Sequence, residues 1–129
     1  MKYLGIDYGE KNIGIAVSDE NGGMAFPLKV IKNSKKTLAE VKKIFVDEKA
    51  ESVVLGESLN LKGEPNKIME DIETFKQNLE KEIGKQVYFE PEFYTTQHSL
   101  HIQGRTPMTD ASAAALILQS FLDKRKNRI

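Results

Sequence analysis

The segment KYLGIDYGEKNIGIAVSD, residues 2 to 19 of a 129-residue chain, decides the fold. Residues 2 to 8 and 13 to 18 are short runs rich in Ile, Leu, Val and Gly, a pattern that indicates strands when turn residues bound it. The residues between the two runs, Tyr8 to Asn12, indicate a tight connection. The chain is therefore predicted to open with a β-hairpin.

A third strand and a first helix are predicted next. The stretch Met24 to Ile31 alternates loosely, and Pro27 indicates an edge strand or a bulge because proline cannot donate a backbone hydrogen bond. Thr37 and Glu40 form a T-x-x-E capping box, after which apolar residues recur at helical spacing. This pattern predicts a helix from about Thr37 to Glu48.

Two further strands and two further helices follow. Residues 52 to 56 are predicted to form a buried strand, and an amphipathic helix with apolar positions from Ile68 to Ile83 is expected to stop at Gly84. Residues 86 to 92 indicate a fifth strand. Thr109 is expected to cap the last helix.

This order of elements predicts an α/β fold in a single domain over residues 1 to 129. The opening hairpins require antiparallel neighbours, whereas a crossover through one helix requires parallel neighbours. We therefore expect a mixed five-stranded sheet, with three antiparallel strands followed by two parallel ones and helices on its faces. Ribonuclease H-like domains have this order, although order alone names no activity.

Composition excludes several kinds of chemistry. The chain has no cysteine, which excludes disulfides, zinc–thiolate sites and thiol nucleophiles and is compatible with a reducing cytosol. The 19 basic and 19 acidic residues cancel, so overall charge does not indicate a nucleic-acid partner. The N-terminus meets Asp7 before any long apolar run, so we expect no signal peptide, no membrane span and a cytoplasmic location.

Carboxylates at strand ends are the candidates for chemistry. Asp7 is the only charged group in the apolar part of the first strand, and a parallel neighbour would place Glu57 about 5 Å from the end of that strand. Glu92 ends the fifth strand, and Asp110 lies in the first turn of the last helix, on its buried side. Taken alone, Asp110 is more often a helix-capping acid and each glutamate more often a solvated strand-end acid, and Asp7 has the alternative of a turn aspartate. Together they predict an oxygen-ligand site for Mg²⁺ or Mn²⁺.

Four groups of residues match the successive motifs of a known family. They are Gly5 to Gly9 with Ile13 to Asp19, then Val54 to Gly56 with Leu59, Asn60 and Gly63, then Glu92 with Thr95 and Thr96, and finally Asp110 to Gln119. In this order they resemble the YqgF/RuvX family of pre-16S rRNA nucleases, which belongs to the ribonuclease H-like superfamily. The resemblance spans nearly the whole chain.

The resemblance implies a cytoplasmic, metal-dependent nuclease that hydrolyses phosphodiester bonds in the maturation of the 5′ end of 16S rRNA. Its acidic site would consist of Asp7, Glu92 and Asp110, with Mg²⁺ or Mn²⁺ as the cofactor. The alternative that the resemblance implies is a Holliday junction resolvase acting on branched DNA.

The chain departs from the family pattern in two segments. Pro91 and Phe93 replace the usual aspartate and arginine around Glu92, which removes a charge-assisted phosphate contact. That loss motivates the alternative of a non-catalytic nucleic-acid binding module with the same fold. Glu57 and Ser58 replace the usual leucine and proline, so Glu57 is a candidate to replace or supplement Glu92 as a metal ligand.

Local charge, unlike the total, favours a nucleic-acid partner. Residues 29 to 43 contain six lysines and one glutamate, and residues 121 to 129 contain four basic residues and one aspartate. Phosphate contacts are expected at Lys35, Lys36, Lys42, Lys43, Thr95, Thr96, Arg105, Lys124, Arg125, Lys126 and Arg128. The other interpretation is that these side chains are solvated and the tail is frayed. The sequence does not fix the oligomeric state, with which a homodimer is compatible.

A further alternative follows from the first hairpin. Sugar kinases and actin-like ATPases share this fold and use a similar hairpin as a phosphate loop. They bind nucleotide between two such domains, whereas 129 residues supply only one. Chain length therefore opposes this alternative.

Overall fold

The opening hairpin and the third strand form as the sequence predicts. The computed structural model describes residues 1–93 and 107–126. Strands β1 (Tyr3–Tyr8), β2 (Asn12–Ser18) and β3 (Ala25–Lys32) pair antiparallel in sequence. Both expectations for Pro27 are confirmed, because β3 is an edge strand and the β2–β3 register shifts between Ile15 and Ala16, where Pro27 pairs.

The remaining elements complete a mixed sheet. They are α1 (Thr37–Asp47), β4 (Ser52–Leu59), α2 (Met69–Ile83), β5 (Val87–Phe93) and α3 (Pro107–Lys126). The five-stranded sheet has the order β3-β2-β1-β4-β5, in which β4 lies parallel to both β1 and β5. This arrangement confirms the predicted sheet, and it places the carboxyl ends of β1, β4 and β5 at one edge.

Each face of the sheet has its own apolar core. On one face, even-numbered residues of β1 such as Leu4 and Ile6 pack with α1 and α2. On the other face, Tyr3 packs with α3 through residues that include Ala114 and Leu118. The alternation of side chains along a strand therefore decides which helix each functional residue faces.

Helix α1 begins at Thr37 as predicted, but the predicted capping box does not form. Thr37 does not form a capping box; its buried Oγ1 accepts a hydrogen bond from the Ser34 N–H (2.8 Å) and donates one to the Lys32 carbonyl (3.2 Å). The Glu40 N–H instead donates to the carbonyl of Lys36 (2.9 Å). The Thr37 hydroxyl thus stabilises the turn that leaves β3, because that turn needs a partner for its own backbone groups.

Two boundaries differ from the prediction, while the stop at Gly84 is confirmed. Helix α3 begins at Pro107 and not at Thr109, which is possible because the first residue of a helix needs no N–H partner. Strand β4 continues to Leu59, since it pairs with β5 throughout, so Glu57 lies within the strand. Gly84 ends α2 with φ = 66°, and its N–H donates to the carbonyl of Glu80.

No helix within residues 1–93 and 107–126 is long and apolar enough to cross a membrane.

Candidate active site

Gly14 brings Asp110 beside Asp7. Asp7 lies on the α3 face of β1, and its Cα partner across the hairpin is Gly14. A Cβ atom on Gly14 would overlap the main-chain carbonyl oxygen of Asp110, so the first turn of α3 lies directly on this glycine. Asp110 is only 9% exposed. The two aspartates therefore approach each other because one residue of β2 has no side chain.

Gly56 has a similar effect on Glu92. Gly56 follows Leu55, the Cα partner of Ile6, and it faces α3. Its ideal Cβ position lies 2.9 Å from Cδ1 of Ile117 and 3.3 Å from Oε2 of Glu92. The Glu92 carboxylate therefore extends over β4 on the α3 face, the face on which Asp7 and Asp110 lie.

Three carboxylates thus lie at one end and on one face of the sheet, but not in contact around a common centre. Asp7 and Glu92 are on strands two positions apart, which separates the strands by about 10 Å. Among residues 1–93 and 107–126, no group of three Asp, Glu, His or Cys side chains is close enough to hold a metal ion. Each of Asp7, Glu92 and Asp110 interacts with another group of the protein. The all-oxygen donor set fits Mg²⁺ or Mn²⁺ in chemical type.

Glu57 is on the opposite face. The β4–β5 register runs without interruption from Val53 to Leu59, so side chains alternate along β4. Val53 and Leu55 belong to the core under α1 and α2, and Glu57 follows them with the same parity. The expectation that Glu57 adjoins Asp7 is corrected: both residues lie at the same end of the sheet, but the pleat directs their side chains to opposite faces.

Sequence reasoning did not identify Ser58 and Asn66. Ser58 is buried and is the Cα partner of Glu92, so the two residues share a face. Its Oγ accepts a hydrogen bond from Nδ2 of Asn66 (2.9 Å), and the Asn66 N–H donates to the Ser58 carbonyl (2.9 Å). These bonds fix the loop after β4 beside Glu92. Only the β4–β5 register reveals this position, because a lone serine or asparagine carries no sequence signal.

Some predicted basic residues lie at the carboxylate end. Asn33 Nδ2 donates a hydrogen bond to the Gly9 carbonyl (2.9 Å), which ties the segment before α1 to the β1–β2 turn. The exposed Lys35 and Lys36 follow Asn33 and therefore lie near this end, as does the exposed Lys11 of the turn itself. None of these three lysines forms an ion pair with another residue of the described ranges.

Two further predicted lysines lie along α1. Lys42 pairs with Glu82 near the end of α2 (3.4 Å), and Lys43 is exposed. Both lie further along α1 from the carboxylate end than Lys36 does. The structure therefore brings only part of the predicted basic surface to the candidate site.

The basic residues that end α3 lie at the far end of the sheet. Lys124 is 14 positions beyond Asp110, which corresponds to about 21 Å along the helix. Its Nζ pairs with the buried Glu90 at 2.7 Å, while Lys126 donates to the Gly23 carbonyl at 2.9 Å. The guanidinium of Arg125 lies over the Tyr3 ring. Arg125 and Lys126 thus contact the edge opposite to the carboxylates, contrary to the expectation that this tail flanks them, whereas Nζ of Lys124 contacts Glu90, two residues before Glu92 on β5. The other expected contacts, Thr95, Thr96, Arg105 and Arg128, lie outside the described residues.

The fold and the carboxylates together define a class. A mixed sheet ordered β3-β2-β1-β4-β5, with α3 opposite α1 and α2, is the ribonuclease H-like fold, and junction resolvases of known structure share it. RuvC of Thermus thermophilus, solved with a Holliday junction substrate, has a TM-score of 0.61 at 19% identity and covers 98% of this chain and 96% of its own. The fowlpox virus resolvase, solved with Holliday junction DNA, has a TM-score of 0.56 at 13% identity and covers 97% of this chain and 99% of its own. At these identities the likeness shows the fold alone.

The chain belongs to the RuvX family, whose model is described as Holliday junction resolvase and matches residues 1–124. A protein of Nitratidesulfovibrio vulgaris named "Putative pre-16S rRNA nuclease" is 36% identical, covering 99% of this chain and 97% of the relative. A protein of Clostridium tetani with the same name is 33% identical, covering 99% of this chain and 100% of the relative. The predicted family is confirmed, and its members support a nuclease or resolvase function.

Proposed function

We propose that this chain is a metal-dependent nuclease that hydrolyses phosphodiester bonds of precursor 16S rRNA, with Asp7, Glu92 and Asp110 as its acidic site. One observation carries the proposal: carboxylates from β1, β5 and the first turn of α3 share one face and one end of the sheet. Acidic residues rarely gather in this way unless a cation or a proton offsets their repulsion.

The three carboxylates would hold Mg²⁺ or Mn²⁺. A bound divalent ion supplies a Lewis acid for the phosphate and lowers the pKa of a bound water. Asp110 is positioned by the contact of its backbone with Gly14, and Glu92 lies in the space above Gly56. Asn66 and Ser58 hold the neighbouring loop in place. Glu57 has no part in this set, because it faces α1 and α2.

The substrate strand is proposed to cross the carboxylate end of the sheet. Lys11, Lys35 and Lys36 are exposed there and form no ion pair with the described part of the chain, so their charges are available to phosphates. This local surface explains how a chain of zero net charge can bind a polyanion. The names of the relatives favour precursor rRNA as the substrate. A cytoplasmic location is proposed with it, because that is where processing of this RNA would take place.

Branched DNA is the second candidate substrate. The family description and the two resolvases that share the fold favour it. A non-catalytic binding module is the third candidate, because Pro91 and Phe93 depart from the family pattern. Retention of Asp7, Glu92 and Asp110 opposes it.

A single assay separates the three candidates. Purified protein is incubated with end-labelled precursor 16S rRNA and with a labelled four-way DNA junction, each with Mg²⁺, Mn²⁺ or excess chelator. The proposal expects cleavage of the RNA that requires the ion. Cleavage of the junction alone would show that branched DNA is the substrate. Binding of either substrate without cleavage in the presence of either ion would favour the non-catalytic binding module.

A further inference from the structure

A cavity of about 240 Å³ opens at the end of the sheet opposite to the carboxylates. Its walls include Tyr3, Glu51, Ser52, Lys85, Tyr88 and Arg125. Tyr3 and Ser52 begin β1 and β4, whereas Asp7 lies near the end of β1, so the cavity and the carboxylates are at opposite edges.

The cavity has an aromatic wall that is held rigidly. The ring of Phe121 on α3 lies between those of Tyr3 and Tyr88, with centroid distances of 5.8 Å and 5.6 Å. Tyr3 is buried at 3% exposure, whereas Tyr88 is 36% exposed. Tyr88 therefore offers ring surface to a ligand while its position is fixed from behind.

Two cations adjoin this wall. Arg125 stacks over the Tyr3 ring at 5.5 Å, and Lys85 is exposed; neither forms an ion pair within residues 1–93 and 107–126. Lys85 sits on a fixed turn, because the Gly84 N–H donates to the Glu80 carbonyl and the Val87 N–H donates to Glu80 Oε2, both at 2.9 Å. The Arg125 guanidinium and the backbone that carries Lys85 are thus positioned before any ligand binds, which reduces the entropy lost on binding.

We propose that this cavity binds one unpaired nucleotide of a nucleic-acid strand, with its base against the Tyr88 ring and a phosphate near Lys85 and Arg125. An exposed aromatic ring next to cations is the combination that binds single strands, because every base has a face that can stack. A cavity of about 240 Å³ has room for a base with its sugar but not for a base pair within a duplex. The wall carboxylate of Glu51 and hydroxyl of Ser52 can accept hydrogen bonds from base edges.

The distance between the cavity and the carboxylates indicates how the two could act on one strand. Tyr3 and Tyr88 in the cavity wall lie four residues before Asp7 and Glu92 on β1 and β5, which corresponds to about 13 Å along the strands. A stacked strand advances about 3.4 Å per nucleotide, so this distance corresponds to about four nucleotides. The inference rests on the proposed function in that the strand held here is the one cleaved at the carboxylates. The cavity would then measure a fixed distance from an unpaired nucleotide to the cleaved bond.

Binding is tested separately from cleavage. The ¹⁵N-labelled full chain is titrated with AMP, with an eight-nucleotide single-stranded RNA and with a blunt eight-base-pair duplex, while amide shifts are followed. We expect the single strand to shift the amide resonances of Lys85, Tyr88 and Arg125. It should also bind more tightly than AMP or the duplex. Tyr88→Ala should weaken single-strand binding about tenfold, whereas Tyr88→Phe should retain it.

Lys85→Ala provides a second variant that leaves the aromatic wall intact. It should reduce the salt slope of single-strand binding by about one, while Lys81→Ala, which changes an exposed lysine on α2, should not. Unchanged binding in folded Tyr88→Ala and Lys85→Ala, or equal binding of duplex and single strand, would overturn the proposal. If AMP binds as tightly as the RNA, the cavity binds a free nucleotide and the proposal that it holds a nucleotide of a strand is wrong.

Asp7→Asn distinguishes this inference from the proposed function. The variant should lose cleavage and keep the single-strand shifts at the cavity, because the two sites are at opposite ends of the sheet. Wild-type protein that binds the single strand here and cleaves no substrate would contradict the proposed function alone. Wild-type protein that cleaves RNA while the cavity variants bind it normally would contradict this inference alone.

Discussion

The α-carbon of Gly14 faces the backbone carbonyl of Asp110 so closely that no side chain can lie between them. Gly14 is also the Cα partner of Asp7. One glycine therefore sets the separation between the strand that carries the first aspartate and the helix that carries the second. The distance between the Asp7 and Asp110 carboxylates therefore depends on backbone packing as well as on the rotamers of the two side chains.

Replacing Gly14 by alanine should displace the start of α3. The new methyl group would overlap the Asp110 carbonyl, and overpacking of this kind costs about 1–3 kcal/mol of unfolding free energy. We expect lower stability in urea unfolding together with a large loss of cleavage. Gly23→Ala is the matched control, since its nearest contact would be Nζ of Lys126 at an ordinary 3.6 Å. Wild-type activity in Gly14→Ala would contradict the role of this contact.

Replacing Asp7 by asparagine should abolish cleavage while folding is retained. Asparagine keeps the shape and most of the hydrogen bonding of aspartate but lacks the charge that a divalent cation requires. Cleavage of labelled precursor rRNA and calorimetric titration with Mn²⁺ measure the two losses, and cooperative thermal unfolding checks the fold. A variant that cleaves at the wild-type rate would show that Asp7 is only a turn residue.

The two glutamates should behave differently. Glu92→Gln should abolish cleavage or lower it severely, because Glu92 shares a face with Asp7 and Asp110. Glu57→Gln should cleave at a rate close to that of wild type, because Glu57 faces α1 and α2. The pair is well matched, since both residues lie on neighbouring strands at the same end of the sheet. Loss of cleavage in Glu57→Gln but not in Glu92→Gln would show that Glu57, and not Glu92, belongs to the acidic site.

Lysines at the two ends of the sheet should affect different properties. Lys35→Ala with Lys36→Ala should lower the salt slope of RNA binding by about two without a loss of stability, because both side chains are exposed. Lys124→Ala should instead lower the unfolding free energy by about 1–3 kcal/mol. The buried Glu90 carboxylate bonds with the Lys124 ammonium and the Ser120 hydroxyl, and this variant removes the first of these two partners. Filter binding at several salt concentrations and urea unfolding measure the two effects. Lys124→Ala that binds RNA more weakly at full stability would show that this lysine contacts phosphate.

Glu80 should make stability depend on pH. The hydrogen bond from the Val87 N–H lowers the pKa of Glu80 below its ordinary value, and Lys76 adds to this effect despite some burial. A lowered pKa in the folded state means that the stabilisation is present above the unfolded value of about 4.3 and is lost as pH falls through the folded value. Glu80→Gln should therefore be less stable than wild type by about 1 kcal/mol at pH 7, with the difference shrinking toward pH 3.

Urea unfolding at pH 7, 5 and 3 tests this dependence. Glu82→Gln is the control, because its pair with Lys42 is exposed and should contribute less than about 0.5 kcal/mol at any pH. A stability difference for Glu80→Gln that stays the same from pH 7 to pH 3 would contradict the prediction.

Much of the fold was open to prediction because its signals are local. The short apolar runs of β1 and β2, the helical spacing in α2 and the stop at Gly84 depend on residues a few positions apart. The crossover rules then convert this order into a mixed sheet with β1 at its centre. The start of α1 at Thr37 was predicted correctly, but the capping box was not, because Thr37 bonds back to the turn before the helix and its sequence pattern does not reveal this.

The candidate site divides along the same line. The sequence by itself determined which carboxylates lie at the carboxyl ends of strands and that the last helix brings Asp110 inward. Only the tertiary structure decided that Glu92, and not Glu57, shares a face with Asp7, because a shift of one residue in strand parity reverses the face. Only the tertiary structure, likewise, showed that Lys124 pairs with Glu90 at the far end of α3, because that contact joins residues 34 positions apart. Composition and spacing carry no information about pairs that only the packing of α3 on the sheet brings together.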